Sequence, residues 1–209
     1  MRLLALETAT GSCSVCALAD GAVVVRFSEQ GTTRQAERIV PLVEDAMNAA
    51  GWSWTDVDML AVDIGPGSFA GIRAGVAAGR GLALAAGLPC LGVTSLEALA
   101  AAGSPGPVVC VVAGRQGRSF VQRFAADGRP DGPASSVDPA AAEALAQPGD
   151  TLLVAGRPVE IDAVHVARAA LSQLAGGRQP GPGHELLPFY LRDSGAGAEA
   201  GRPLVGQRA

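Results

Sequence analysis

Lysine is absent from this chain of 209 residues, so all 16 basic residues are arginine. The absence excludes a Walker-type lysine on a phosphate, a Schiff-base lysine and a lysine general base. A GC-rich genome that favours arginine, alanine and glycine codons accounts for it better than a selected function does. Only 17% of the residues are charged and the net charge is −4, so the overall composition favours neither a nucleic-acid surface nor a membrane surface.

Side chains that commonly bind metals are also few. His165 and His184 are the only histidines, and neither has a sequence neighbour that would complete a metal or acid–base site. Cys13 and Cys16 have CxxC spacing, but on a predicted strand an odd offset places two side chains on opposite faces. No second CxxC or CxxH pair could complete four zinc ligands. We therefore expect buried thiols, no metal site and a reducing, cytoplasmic environment.

Long uncharged apolar runs are missing as well. The apolar run at the start is too short for a signal peptide, and no run approaches the ~18 residues that a membrane span requires. With 48% hydrophobic residues the chain can nevertheless build a sizeable core. We expect a globular protein of one large domain or two small ones, with no membrane partner.

What the sequence does contain is a stretch over 59–84 that changes from a strand to a helix. Met59–Ile64 is short and apolar and predicts a buried strand, which a glycine-proline turn at 65–67 ends. Ser68 is placed to cap a helix that begins near Gly71. Backbone N–H groups at such a helix start suit an anion, and the polar turn after the first strand could face it too. A possible phosphate site therefore comprises Thr8, Thr10, Gly65, Gly67 and Ser68.

The residues around two possible motifs argue against a dinucleotide site and against a common catalytic site. Gly65, Gly67 and Ala70 match GxGxx(G/A), but no acidic residue follows the strand that ends at Val93, and the strand order is wrong for a Rossmann domain. The stretch 117–121 lacks the last glycine of a GxSxG nucleophile elbow. We expect no catalytic residue and no tightly bound cofactor, with weak nucleotide binding left open.

The remaining pattern predicts two related α/β units. Strands over 2–6, 14–18 and 22–27 open the chain as an antiparallel meander, and an amphipathic helix over 33–50 follows, kinked or broken at Pro41. Beyond the GSPGP run at 103–107, further strands and a helix repeat this order in shorter form. We predict three segments: a domain over 1–103, a smaller domain over 104–193 and a disordered tail over 194–209.

The predicted helix over 71–86 carries a stripe of small residues. Gly71, Gly75 and Gly79 recur at four-residue steps, although each glycine inside a helix costs ~1 kcal/mol relative to alanine. Such a stripe lets another backbone approach closely. Two explanations remain open from the residues alone: packing on this chain's own sheet or neighbouring helix, and an interface with another subunit.

Several of these segments together resemble the bacterial TsaB family. They are the LALETAT start, DIGPGSFAGIRAG with the GLAL that follows it, GVTSLEALA, and PFYLR at 188–192. The resemblance implies an actin-like or sugar-kinase-like ATPase fold, α/β, with two related domains on mixed sheets and a reduced second domain. It also implies a non-catalytic subunit that supports threonylcarbamoyl transfer to a tRNA adenosine beside the anticodon.

The catalytic relatives of that family, the TsaD proteins, carry a stretch resembling GVNHLEGH, whose two histidines hold a metal. In this chain the stretch is Gly92–Leu99, where Ser95 and Leu99 occupy the histidine positions. A hydroxyl is a poor metal ligand and leucine is none. The resemblance therefore implies that this stretch cannot assemble the metal centre.

The resemblance also implies the partners. These are a TsaD-like catalytic subunit and a TsaE-like ATPase, with tRNA bound only through the complex and a homodimer formed when the chain is alone. The expected interface lies on the helices over 33–50 and 71–86 and comprises Ile39, Val43, Met47, Gly71, Arg73, Gly75 and Gly79. An ATP-dependent kinase or a metallopeptidase-like enzyme of the same fold is the alternative.

Overall fold

Two mixed β-sheets organise the chain. The computed structural model describes residues 1–103, 105–114, 117–156 and 158–191. The predicted tail over 194–209 and the last residue of the PFYLR segment lie outside the described residues. In this part of the chain the first sheet has six strands and the second has five.

The first sheet joins a parallel half to an antiparallel half. Its strands are β1 (Arg2–Glu7), β2 (Ser12–Ala19), β3 (Ala22–Gln30), β4 (Met59–Asp63), β5 (Pro89–Val93) and β11 (Gly181–Pro182). They lie in the order β11-β5-β4-β1-β2-β3. β1, β4 and β5 run parallel to one another, whereas β2, β3 and β11 are antiparallel to their neighbours. The meander predicted at the start of the chain is confirmed.

The second sheet repeats this arrangement with shorter strands. They are β6 (Val108–Ala113), β7 (Ser119–Phe124), β8 (Ser135–Val137), β9 (Thr151–Ala155) and β10 (Pro158–Val159), in the order β10-β9-β6-β7-β8. β6 and β9 are parallel, while β6, β7 and β8 form an antiparallel meander. β8 and β10 were not predicted, because strands of three and two residues carry no periodicity of their own.

Five helices cover the sheets in the described residues. They are α1 (Gln35–Ala50), α2 (Phe69–Ala86), α3 (Ser95–Ala100), α4 (Pro139–Glu143) and α5 (Ala163–Ala175). α1 continues through Pro41 without interruption, so the predicted break is absent. α2 begins two residues earlier than predicted, and Ser68 caps it by accepting a hydrogen bond from Gly71 N–H at 3.3 Å. None of these helices is both long and apolar enough to cross a membrane.

Different helices cover the two faces of the first sheet. Leu4 and Leu6 of β1 pack with α1, whereas Leu3 and Ala5 face the opposite way and pack with α5. Cys13 packs in the core that includes α1, and Cys16 packs in the core that includes α5. All four cysteines are buried thiols. The prediction that Cys13 and Cys16 lie on opposite faces is therefore confirmed.

The 104–193 segment is not confined to the second sheet. Val108 and Cys110 of β6, Leu3 of β1 and Val166 of α5 belong to one hydrophobic core. α5 packs against the first sheet, and β11 pairs with β5, Gly181 opposite Cys90. The predicted boundary separates the two sheets, but the end of the described chain returns to complete the first one.

A candidate site at the carboxyl ends of β1 and β4

Two buried carboxylates lie where neighbouring parallel strands end. Leu6 of β1 pairs with Val62 of β4, so the next residues, Glu7 and Asp63, lie side by side at the same edge of the sheet. Both side chains are fully buried. In open α/β sheets, ligands bind outside the carboxyl ends of parallel strands. This edge of the sheet is therefore the candidate site for ligand binding or catalysis.

Glu7 accepts hydrogen bonds from the turn that follows its own strand. Its Oε1 accepts from Thr10 N–H at 2.7 Å and from Thr10 Oγ1 at 2.9 Å, and its Oε2 accepts from the Ser12 hydroxyl. Burial raises the pKa of Glu7 to about 7, and the hydrogen bonds only partly oppose that rise. Glu7 therefore exchanges its proton near neutral pH.

Asp63 is held in a similar way by the next element. Its Oδ1 accepts from Gly65 N–H at 2.8 Å and from Ser95 Oγ at 2.7 Å. Burial, and then the nearby charge of Glu7, raise the pKa of Asp63 well above its ordinary range. The described residues place no lysine or arginine on either carboxylate, so the pair favours neutral, protonated forms.

Four of the five residues proposed to hold a phosphate already use donors within the chain. Thr8 Oγ1 donates to the Gly71 carbonyl at 2.7 Å, and Ser68 N–H donates to the Ala9 carbonyl at 2.7 Å. The Thr10 donors go to Glu7, and Gly65 N–H goes to Asp63. The donors of Thr8, Thr10, Gly65 and Ser68 are therefore occupied within the chain, which does not test whether a phosphate binds at Gly67 or at the helix start. Nucleotide binding stays a prediction, and at Thr10 it requires a phosphate to displace the Glu7 carboxylate.

The glycine stripe of α2 packs on this chain's own β1–β2 turn and β4. A Cβ added at Gly71 would overlap the Thr8 carbonyl, and one at Gly75 would overlap the Thr8 hydroxyl. A Cβ at Gly79 would lie 2.6 Å from Cγ2 of Val62. Of the two explanations for the glycine stripe, the structure therefore supports packing within the chain. The assignment of these three glycines to a subunit interface is wrong.

The apolar ridge of α1 is also part of the core. Ile39, Val43 and Met47 are at most 6% exposed and pack against the first sheet and α2. They cannot contact another protein while the chain is folded. Their helical spacing indicated an apolar face correctly, but spacing alone does not say what covers that face. Of the expected interface residues, Arg73 is the one that is exposed.

A different stripe of α2 faces solvent. Ala77, Arg80 and Leu84 are exposed at three- and four-residue steps, and 86% of the Leu84 side chain is accessible. α1 lies beside α2, and its exposed residues include Val40 and Glu44. Sequence reasoning missed Leu84, because the predicted helix was apolar on most sides.

Ser95 and Leu99 lie inside the protein. Both are fully buried, and both oxygens of Asp63 accept a hydrogen bond from the Ser95 hydroxyl. Thr94 caps α3 with Glu97, whose Oε2 accepts from Thr94 N–H at 2.7 Å. Among the described residues, no cluster of three or more His, Cys, Asp or Glu side chains could hold a metal ion.

The comparisons with known proteins agree with the fold and the motifs. A family model described as TsaD, tRNA N6-adenosine threonylcarbamoyltransferase, matches residues 29–181, which is more than half of the chain. The chain belongs to the TsaD and TsaB family. The TsaB resemblance and the α/β fold with two mixed sheets expected from the sequence are confirmed.

Two curated members and one solved structure illustrate the likeness. The tRNA threonylcarbamoyladenosine biosynthesis protein TsaB of Escherichia coli K12 is 45% identical over 100 residues, or 48% of this chain and 43% of that protein. The chain thus spans less than half the length of this curated relative. An uncharacterized Mycobacterium tuberculosis H37Rv protein is 32% identical over 202 residues, 91% of each chain. YeaZ from Pseudomonas aeruginosa superposes with a TM-score of 0.79 at 25% identity, covering 91% of this chain and 99% of its own.

Proposed function

We propose that this chain is a non-catalytic subunit in the biosynthesis of tRNA threonylcarbamoyladenosine. In this proposal it pairs with a TsaD-like transferase in the cytoplasm and supports threonylcarbamoyl transfer to a tRNA adenosine. The printed names of the TsaB and TsaD relatives support the pathway. The observation that carries the non-catalytic role is the pair of buried residues, Ser95 and Leu99, at the positions where the catalytic relatives have metal-binding histidines.

The chemistry of that pair argues against an independent transferase, metallopeptidase or kinase. The Ser95 hydroxyl is already bonded to Asp63, and Leu99 offers no donor atom to a metal. The turn over 8–10 directs its polar groups to Glu7 and to the Gly71 carbonyl, so it offers a nucleotide few free donors. A supporting role in a complex fits these residues better than a catalytic one.

The exposed stripe of α2 is the surface that best suits the partner. Leu84 is 86% exposed, more than any other large hydrophobic side chain among the described residues. Val40 of the neighbouring helix α1 is 40% exposed, and the exposed residues of the two helices also include Arg80 and Glu44, which carry charges of opposite sign. Such a mixture of apolar and charged groups is typical of a non-obligate interface. The same surface would form a homodimer when the partner is absent, and a TsaE-like ATPase would join the assembled pair.

Reconstitution with a TsaD-like partner tests both halves of this proposal. We expect threonylcarbamoylation of tRNA, measured by mass spectrometry, only when both proteins are present with the pathway's ATPase and activated substrate. Leu84→Asp should weaken capture of the partner at least tenfold, because a buried carboxylate would replace an apolar contact. Leu145→Asp is the matched control, since Leu145 is 47% exposed and follows α4 beside the second sheet.

Two results would contradict the proposal in different ways. Full activity of the transferase without this chain would remove the supporting role. Equal capture by the Leu84→Asp and Leu145→Asp variants, both folded by circular dichroism, would remove α2 as the partner surface but would leave the role intact.

A further inference from the structure

Four aromatic side chains converge on one cavity between the two sheets. Phe69 begins α2, Phe120 lies on β7, and Phe189 and Tyr190 belong to the segment after β11. With Ile72 and Arg118 they line a cavity of about 140 Å³, which we name the ring pocket. The chain contains five Phe, two Trp and one Tyr, so half of its aromatic side chains meet here. No two of the contributing elements are adjacent in the chain.

The ring pocket is the right size for one six-membered ring. An engineered protein cavity of about 150 Å³ admits benzene, which is close to the volume of this one. The pocket is also open to solvent along one side, where Phe69 is 41% exposed and Tyr190 is 42% exposed. Their ring centroids lie 5.4 Å apart. These two rings are therefore in contact with each other, and a flat ring that entered from the open side would lie against them and not between them.

Arg73 supplies the positive charge at the rim of the ring pocket. Arg118 is the one charged side chain among the described lining residues, but its Nη1 pairs with Oδ1 of Asp138 at 3.0 Å, so its charge is balanced within the chain. Arg73 lies at the rim, with its guanidinium carbon 3.8 Å from the centroid of Phe69 and its Nε donating to Tyr190 Oη at 3.3 Å. Its two terminal nitrogens have no hydrogen-bond partner in the described part of the chain. In an acidic protein, this rim can attract an anion.

We propose that the ring pocket binds one unpaired base of an RNA strand, while Arg73 contacts a flanking phosphate. Unpaired bases stack on aromatic rings and on arginine planes, and the phosphates beside them pair with guanidinium groups. An acidic peptide would satisfy the arginine but would leave the rings unused, whereas a base with its phosphate uses both. The choice of RNA rests on the proposed function, in which the substrate is a tRNA. The inference departs from the expectation that tRNA contacts only the rest of the complex.

Binding of a labelled single-stranded RNA of about 10 nucleotides to the full chain tests the inference by fluorescence anisotropy. Tyr190→Leu should weaken binding about five- to 150-fold, because it removes one stacking ring. Tyr190→Phe keeps the ring and should restore most of the binding. The logarithm of the affinity falls linearly with the logarithm of the salt concentration. Arg73→Gln should make this fall less steep by about 0.7, the value for one phosphate contact of a single strand.

Control variants and a second ligand make the outcomes distinct. Trp54→Leu removes a half-buried ring beside β4, and Arg129→Gln removes an arginine whose side chain is 81% exposed next to Asp127. Neither should change RNA binding. Absence of RNA binding, or equal losses in the Tyr190→Leu and Trp54→Leu variants, would overturn the inference. Adenosine monophosphate binding as tightly as RNA would also overturn it and would identify a free-nucleotide pocket. Partner capture, measured on the Tyr190→Leu and Tyr190→Phe variants, should stay unchanged, so failure here is distinguishable from failure of the proposed function.

Discussion

Loss of the Glu7 proton should make the protein less stable as the pH rises towards and through neutrality. The pKa of this carboxyl is about 7 in the folded chain, against an ordinary value of 4.5. The folded state therefore binds the proton more tightly than the unfolded state does, and stability falls as pH rises between these two values. The full difference corresponds to ~3 kcal/mol, of which ~2 kcal/mol falls between about pH 5.5 and about pH 8.5.

Urea unfolding at several pH values measures this effect, with Glu7→Gln as the perturbation. The amide mimics the protonated acid, because its oxygen can accept from Thr10 and its nitrogen can donate to Ser12. The parent chain should lose ~2 kcal/mol more than this variant over that pH range. Carboxyls with lowered pKa values, such as Asp150 and Asp162, change their protonation at lower pH and do not interfere. The pKa of Asp63 is raised by burial and by the charge of Glu7, so the comparison measures Glu7 together with its interaction with Asp63. Glu44→Gln, at an exposed site on α1, controls for the loss of a surface charge.

The reasoning about the carboxylate pair fails if the parent chain and Glu7→Gln show parallel stability curves from acid to alkaline pH. It also fails if the parent chain becomes more stable, relative to the variant, as the pH rises. A rise of that kind would mean that the folded chain prefers the Glu7 anion, and hence that a cation or a stronger set of donors compensates for its burial.

Two further pairs of substitutions test the packing around α2. Gly75→Ala should destabilise the protein by about 1–3 kcal/mol because its Cβ would overlap the Thr8 hydroxyl, whereas Gly81→Ala meets nothing within 4 Å and should stabilise it by about 0.5–1 kcal/mol. Equal effects in thermal unfolding would contradict the close approach. Leu186→Ala should cost about 2–4 kcal/mol, because this side chain is 6% exposed and packs with α2. Leu187→Ala, at 42% exposure, should change stability by less than about 0.5 kcal/mol, and similar losses for both leucines would refute the packing of this segment.

The sequence predicted correctly those elements that depend only on neighbouring residues. The strand over 59–63, the glycine-proline turn and the cap at Ser68 were readable because each depends on residues within a few positions. The odd spacing of Cys13 and Cys16 fixed their opposite faces for the same reason. The resemblance supplied the family and the actin-like fold, which periodicity alone did not.

Features that depend on distant parts of the chain were missed. β11 is two residues long and exists because Gly181 and Pro182 pair with β5. Glu7 looked like the start of a polar turn, yet it is the last residue of β1, where it pairs with Ser14 of β2, and its buried carboxyl accepts hydrogen bonds from Thr10 and Ser12. The ring pocket combines Phe69 with Tyr190, a separation that no sequence window spans.

The carboxylate pair and the glycine stripe together indicate which surfaces of the protein are accessible to a ligand or partner. The carboxyl edge of the first sheet is the usual place for a ligand in such folds, but here Glu7 and Asp63 take up the donors of both turns. The glycines of α2 hold the Thr8 turn against the helix, so this edge is closed by packing as well as by hydrogen bonds. Binding surfaces remain on the outside of the same elements. The outer stripe of α2 carries Leu84, and its first turns carry Phe69 and Arg73. In the two proposals, one helix presents its outer stripe to a protein and its first turns to RNA, while its inner face packs against the Thr8 turn.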